Sequence, residues 1–339
     1  MRAKRSGFRF LLLFVLSTLL LAGCGKTENS TLDPAGPMAE ELLFLINLST
    51  GIMLFVMVVV FGIFFYVLFR YRERPGDTHI PEQVEGSVKL EVLWTVIPVL
   101  LLTCLAIPTV STTLSQAKMP EDGEGLKVNV TAYQYWWAFE YPEEGIVTGQ
   151  ELHIPVGQKV HLTMTSEDVI HSFWVPRLAG KTDLNPGKTT EMMIEASEPG
   201  IYRGKCAELC GESHALMNFK VIAHEQEEFD KWLAQMKEPD SKPKTATAEE
   251  GAELFAQSCL SCHAIAGADF EQESGATAPD LTAFGTRTEI AGILEYNEEN
   301  LKKWIKDPEK IKPGVNMPGF GHFSEQQLNA LTEYLMNLK

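Results

Sequence analysis

The chain has 339 residues and a net charge of −16, from 29 basic and 45 acidic side chains, with 45% of its residues hydrophobic. Residues 118–244 carry 13 basic and 21 acidic side chains and residues 245–339 carry 7 and 15, so each block is 8 charges negative; that excludes the basic surface of a nucleic-acid-binding protein. Six cysteines scattered over three settings exclude the dense disulfide framework of small secreted domains.

The N-terminus, MRAKRSGFRFLLLFVLSTLLLAGC, has basic residues, an apolar run from Phe10 to Ala22, and small residues before Cys24. That is the form of a secretory signal. Its end, LAGC, resembles a bacterial lipobox, so residues 1–23 are expected to be a lipoprotein-type signal peptide and Cys24 the lipidated first residue of the mature chain. The alternative is an uncleaved third membrane helix, for which the run is short of the roughly 20 residues a span needs. Leu42 to Phe69 and Val92 to Ala117 hold 28 and 26 residues without a charge. Each is long enough to cross a bilayer core about 30 Å thick, which predicts a transmembrane hairpin over 40–117 with helices at about 42–69 and 92–117. Arg70, Arg72 and Arg74 close the first span. By the positive-inside tendency the connecting loop is cytoplasmic, which puts everything after residue 117 outside.

From residue 126 the pattern changes to short alternating segments rich in β-branched and aromatic residues and broken by Gly and Pro, such as LKVNVTAYQYWWAFEYP and ELHIPVGQKVHLTMTS. This predicts an all-β domain over 118–225, a Greek-key sandwich or small barrel. Between its last two strands lies GKCAELCGESHALM. Cys206, Cys210, His214 and Met217 offer two thiolates, an imidazole and a thioether, and His171 stands 35 residues before Cys206. Soft sulfur with imidazole and no carboxylate cluster favours copper. A mononuclear blue-copper centre needs only one cysteine; two cysteines can bridge two coppers, with one histidine for each and Met217 and the Glu208 carbonyl as weak ligands. A Cys206–Cys210 disulfide and a zinc site are the competing readings. The remaining histidines, His79, His153, His161, His224 and His322, have no partner pattern and read as surface or structural.

The polar tract KEPDSKPKTATAEE marks a linker, placed at 226–245. Beyond it, Cys259-x-x-Cys262-His263 is the attachment pattern of c-type haem, with two thioethers to the porphyrin and an imidazole to iron. Met317 is the expected sixth ligand and His322 its rival; a thioether favours ferrous iron and raises the potential. Helical patterns with Asn297 and Ser324 as N-caps predict an all-α domain over 246–339.

The pattern Cys206-x-Glu208-x-Cys210-x-x-x-His214-x-x-Met217, with His171 upstream and a membrane hairpin before it, resembles the CuA site of subunit II of haem–copper cytochrome c oxidases. The likeness covers residues 40–225, and residues 246–339 are similar to the class I cytochrome c domain fused to that subunit in caa3-type oxidases. The resemblance implies a cupredoxin fold for 118–225, a dinuclear copper that accepts electrons and passes them to haem in subunit I, and oxygen reduction coupled to proton translocation there. It makes this chain a non-oxygen-binding subunit of a cytochrome-c oxidase in a bacterial cell membrane, with its copper and haem domains on the extracytoplasmic side. Subunits I and III and an external donor, such as cytochrome c or a cytochrome bc complex, are the implied partners. By position, Glu208 would also bind magnesium at the subunit I interface, Glu91 would serve a proton-uptake path, and Pro279 would hold His263 through its carbonyl. Tyr135, Trp136 and Trp137 would form the patch where electrons enter, although a tyrosine stands where mitochondrial relatives have the entry tryptophan. A membrane-tethered carrier without an oxidase partner is the alternative. A copper-delivery protein would need labile ligands, nitrous oxide reductase has a further domain absent here, and quinol oxidase subunits of this fold lack these cysteines.

Overall fold

The computed structural model describes residues 14–15, 17, 27–73, 75–76, 80, 82–118, 125–268, 270 and 277–339. Cys24, Arg74 and His79 lie outside the described residues, as does the expected signal peptide apart from residues 14–15 and 17. Two helices, Pro37–Arg70 and Val88–Gln116, are long and apolar enough to cross a membrane. They begin several residues before the charge-free runs because Pro37 at the first helical position and Ser87 as N-cap start them early. Gln116 binds the Met38 carbonyl and Glu41, both at 3.1 Å, which ties the ends of the two helices together. The segment before the first helix is strapped to the β domain: Asp33 pairs with Arg177 at 3.0 Å, the Ala35 amide donates to the Arg177 carbonyl, and the Ser197 amide donates to the Ala35 carbonyl.

The β domain is a sandwich of two five-stranded sheets. One has the order β3-β2-β1-β5-β8, from Ile146–Gly149, Trp136–Tyr141, Leu126–Tyr133, Val160–Ser166 and Thr190–Ile194. The other has the order β4-β10-β9-β6-β7, from Glu151–Pro155, Asn218–His224, Gly200–Cys206, His171–Trp174 and Lys181–Leu184. Alternation along each strand sends Val128, Val130, Phe139, Leu162 and Val221 into a shared core. The continuous segment from 126 to 142 is split by a hairpin turn at Gln134–Tyr135 into β1 and β2.

The stretch 226–245, expected as a linker, differs. Residues Gln226–Lys237 form a helix whose Phe229 and Met236 are buried and whose Trp232 and Leu233 pack on the β core. Spacing of i, i+3, i+4 and i+7 puts these four on one face, so burial overrides the polar composition. Trp232 stacks on His153 with centroids 4.2 Å apart, and His153 Nδ1 lies 2.8 Å from His224 Nε2. These two histidines are therefore an internal pair. His161 instead lies 3.4 Å from Glu191.

Burial is the main cause that holds both His153 and His224 below the ordinary 6.5; the partner ring and Arg287 add to it for His153, while Glu228 opposes it for His224. Above pH 6.5 both rings are neutral in the folded and unfolded chain. Below it the unfolded chain takes up protons that the folded chain resists, so stability falls with pH until the lowered folded values are reached. Thermal unfolding between about pH 7.5 and 5 should show a falling midpoint that His153→Phe flattens; an equally steep fall in that variant would contradict the assignment.

The C-terminal domain packs the helices Ala246–Ser258, Glu298–Lys306 and Glu325–Met336 around Phe255, Leu301, Leu328 and Leu331. Thr245, Asn297 and Ser324 cap them, each accepting from a backbone amide three residues on, and Ser324 with Gln327 forms a capping box. A two-residue strand pair, Glu289–Ile290 with Leu294–Glu295, is added to the helical pattern.

Candidate metal and haem centres

β6 begins at His171 and β9 ends at Cys206, and the pairing of Phe173 with Cys206 brings these distant residues side by side. The loop between β9 and β10 is closed at its base by the Cys206 amide donating to the Met217 carbonyl at 3.0 Å, and a short turn at His214–Leu216 swings the remaining donors inward. Gly211, at φ +129°, turns the chain directly after Cys210; a Cβ there would lie 2.4 Å from the Tyr135 hydroxyl.

The donors converge. Cys206 Sγ is 3.8 Å from Cys210 Sγ, 3.8 Å from His171 Nδ1 and 3.1 Å from the Glu208 carbonyl oxygen. Cys210 Sγ is 3.6 Å from His214 Nδ1 and 3.7 Å from Met217 Sδ. A disulfide would bring the sulfurs to about 2.05 Å, so both cysteines are free thiols. Two donors on one tetrahedral first-row ion with bonds of about 2.1–2.3 Å lie about 3.5–3.8 Å apart, which matches the spacings among the cysteine, histidine and methionine donors. The neighbouring Cys210 is the largest influence drawing the Cys206 pKa down, against the burial that would raise it, while Cys210 beside it is pushed up, so the pair holds on to a proton. A metal would displace that proton.

Asp168 was not singled out in the sequence, yet its carboxylate lies 2.8 Å from His171 Nε2. It fixes the ring so that Nδ1 faces the sulfurs. The signal was present as Asp three residues before His in DVIH. His171 and Met217 are fully buried. Trp137, also fully buried, meets His171 edge to face at 6.2 Å and Phe173 at 5.8 Å. Of the residues expected at the electron-entry patch, Trp137 is turned into the core by alternation along β2, and Tyr135 is buried as well, with its hydroxyl accepting from the Glu212 amide at 3.0 Å. Trp136 is the half-buried member of the trio, stacked on Tyr133 at 4.4 Å.

The second centre is a cavity of about 270 Å³ lined by Cys259, Cys262, His263 and Met317. Cys259 terminates the helix Ala246–Ser258, and the Cys262 and His263 amides both donate to its carbonyl. His263 Nδ1 donates to the Pro279 carbonyl at 2.7 Å, which leaves Nε2 as the free ring nitrogen, and burial pushes the ring pKa down so that it is neutral. Two thiols, a neutral imidazole and a thioether on one cavity fit a covalently held haem. His322 is exposed and takes no part in the lining.

The other wall of this cavity belongs to the β domain: Tyr133, Gln134, Tyr135, Trp136, Gln150 and Asp168. Gln134 also donates from Nε2 to the Cys210 carbonyl at 2.6 Å. It joins the two centres, and neither its spacing nor its type signals that in the sequence. Glu208 is half-buried beside the sulfurs, whereas Glu91 is exposed in the first turn of the second long helix.

Three family models match the chain: cytochrome C oxidase subunit II, transmembrane domain, over residues 27–112; cytochrome C oxidase subunit II, periplasmic domain, over 146–224; and cytochrome c over 248–339. Cytochrome c oxidase subunit 2 of Alkalihalophilus pseudofirmus is 46% identical over 345 residues, covering 100% of this chain and 99% of that one. The protein of the same name from Bacillus sp. PS3 is 48% identical over 98% of both. Quinol oxidase subunit 2 of Bacillus cereus is 36% identical over 71% of this chain and 84% of its own. Among solved structures, the periplasmic domain of subunit II of cytochrome oxidase of Bradyrhizobium japonicum is 28% identical, with a TM-score of 0.34, covering 35% of this chain and 97% of that one.

Proposed function

The chain belongs to the caa3-type cytochrome c oxidase subunit II family, and from that premise we propose that it relays electrons from its own cytochrome domain through its copper domain to subunit I, where oxygen is reduced to water with proton translocation. Its family makes it an electron-transfer subunit of a membrane oxidase. When bound, haem c and the dinuclear copper each take up and release one electron at a time.

The observation that carries the proposal is the common wall: Gln134 lines the cavity of the haem-binding residues and donates to the carbonyl of Cys210. Cys206, Cys210, His171, His214, Met217 and the Glu208 carbonyl would hold the two coppers. Cys259 and Cys262 would hold haem, with His263 and Met317 on its iron. Around both sets the protein supplies a fixed, dry frame. Asp168 and the Pro279 carbonyl orient the two histidines, while Trp137, Phe173 and Phe219 exclude water from the sulfur cluster. Rigid ligands and an apolar shell limit rearrangement when charge changes.

Orientation follows from Arg70 and Arg72 at the end of the first long helix, which put the loop on the cytoplasmic side and the copper and cytochrome domains outside. The finer roles belong to the same proposal: Glu208 as a magnesium ligand facing subunit I, Glu91 at a proton path, subunit III in the complex, and cytochrome c or a bc complex as donor. Purification from membranes in mild detergent tests the main reading. A large haem-containing subunit should co-purify with two coppers and one covalent haem per chain. A chain that carries the metals and haem but emerges without that subunit would be a tethered carrier instead.

A further inference from the structure

A lysine is almost never fully buried unless a negative group faces it. Lys312 is 2% exposed and lines the cavity that also carries Cys259, Cys262, His263 and Met317. Its ammonium donates to the Ala291 carbonyl at 3.1 Å, and among the described residues no ion pair joins it to a carboxylate. An ammonium has three donors, so one protein acceptor leaves most of its capacity unused. We propose that Lys312 is the cation that receives a propionate carboxylate of the haem. The inference rests on the assignment of haem to this cavity and goes on to name the residue that meets the acidic edge of the porphyrin.

The backbone on both sides of Lys312 is fixed. It follows the short helix Pro308–Ile311, and its amide donates to the Pro308 carbonyl at 2.8 Å. Pro313 cannot continue that helix, and its carbonyl accepts from the Ser213 hydroxyl at 2.6 Å. The acceptor of the ammonium is equally well placed. Ala291 opens the tight turn between Glu289–Ile290 and Leu294–Glu295, with φ of +53°, and Gly292 follows at +74°. Glycine takes such angles freely, whereas alanine is strained there. The turn keeps this strained alanine where its carbonyl meets Lys312.

The acids close to Lys312 in sequence are engaged elsewhere. Glu309 accepts from the Gly314 amide, with its two oxygens at 3.0 and 3.2 Å, and Asp307 caps the short helix by accepting from the Lys310 amide. Arg287, the other cation lining the cavity, has Glu151 and Asp280 to support its charge. For Lys312 the supporting group is Cys210, and burial outweighs it, drawing the ammonium down to about 7. A haem attached through Cys259 and Cys262 keeps two propionates, so carboxylates enter this cavity with the porphyrin. A carboxylate set against the ammonium compensates both charges, and each would be costly to bury alone. A cation held near the iron also favours the ferrous state over the ferric.

The experiment uses the full chain loaded with copper and haem. Lys312→Met keeps the length of the side chain and removes its charge, an exchange that buried sites tolerate. At a fixed ambient potential the variant should hold a several-fold higher ratio of ferric to ferrous haem. The propionate bending band in its resonance Raman spectrum should move as well. Lys312→Arg, which keeps a cation, should restore most of both, and the copper potential should shift less than that of the haem. Lys312→Gln gives the same readouts if Lys312→Met does not mature. A lysine that serves only the fold would move neither the ratio nor the band. Both unchanged in a variant with its full complement of covalent haem, or a shift confined to the copper centre, would overturn the proposal. Wild-type protein without covalent haem would instead overturn the assignment of this cavity, which separates the two failures.

Discussion

Cys206→Ala is expected to reduce the copper bound by the purified protein from two ions to at most one, and to replace hyperfine coupling to two copper nuclei with a mononuclear pattern. The reason lies in the donor count. Cys206 contacts Cys210, His171 and the Glu208 carbonyl, whereas Cys210 contacts His214 and Met217. Removing Cys206 takes away one of the two thiolates proposed to hold the coppers and leaves His171 with no sulfur beside it. Cys210, His214 and Met217 remain as a set of one thiolate, one imidazole and a thioether, close to what a single copper takes in blue-copper sites. Oxygen consumption by the assembled complex should fall to background. The fold should survive, since one buried sulfur is lost at a cost of about 1 kcal/mol, and an unchanged circular dichroism spectrum would check this. Two coppers retained with dinuclear coupling would remove Cys206 from the ligand set.

Gly251→Val is expected to have the largest effect on the haem domain although it touches no donor. The helix Ala246–Ser258 crosses the helix Glu325–Met336 at this glycine, where a Cβ would sit 2.1 Å from the Ala330 carbonyl oxygen and 2.9 Å from the Tyr334 Cβ. Backbone cannot yield as a side chain does, so the helices must part. Overpacking of this kind costs about 3 kcal/mol, at the upper end of the usual range, out of the roughly 5–15 kcal/mol that holds a domain together. The same two helices carry Phe255 and Cys259 on one and Leu331 and Leu335 on the other, all of which line the haem-binding cavity. The fraction of chains with covalent haem should fall, together with the unfolding temperature of that domain. An unfolding temperature equal to the wild type would show that the helices accommodate the side chain.

The two centres were legible to different depths. Cys259, Cys262 and His263 lie within one turn, and their covalent spacing alone brings them together. Cys206, Cys210, His214 and Met217 are likewise confined to one loop. His171 could be named only as a further histidine upstream, because it is the pairing of β6 with β9 that sets it beside Cys206. Composition misled at the stretch 226–245, where four apolar residues among many charges suffice to dock a helix on the β domain. It also read His153 and His224 only as surface or structural, without a partner: each is an ordinary single histidine, and they meet across the pairing of β4 with β10.

The sequence by itself determined the donor types, the two apolar helices and the order of domains, because these depend on short spacings and on runs of like residues. Only the tertiary structure decided which aromatic residues face outward, since a shift of one position along β2 separates buried Trp137 from half-buried Trp136. It alone placed the cytochrome domain on the copper domain. That contact joins residues as far apart as Glu151 and Thr288, separated by 137 positions, and a hydrogen bond at such a distance leaves no period or motif in the chain. Its geometry exists only once three strands have aligned Glu151, Lys220 and Arg203 in a row.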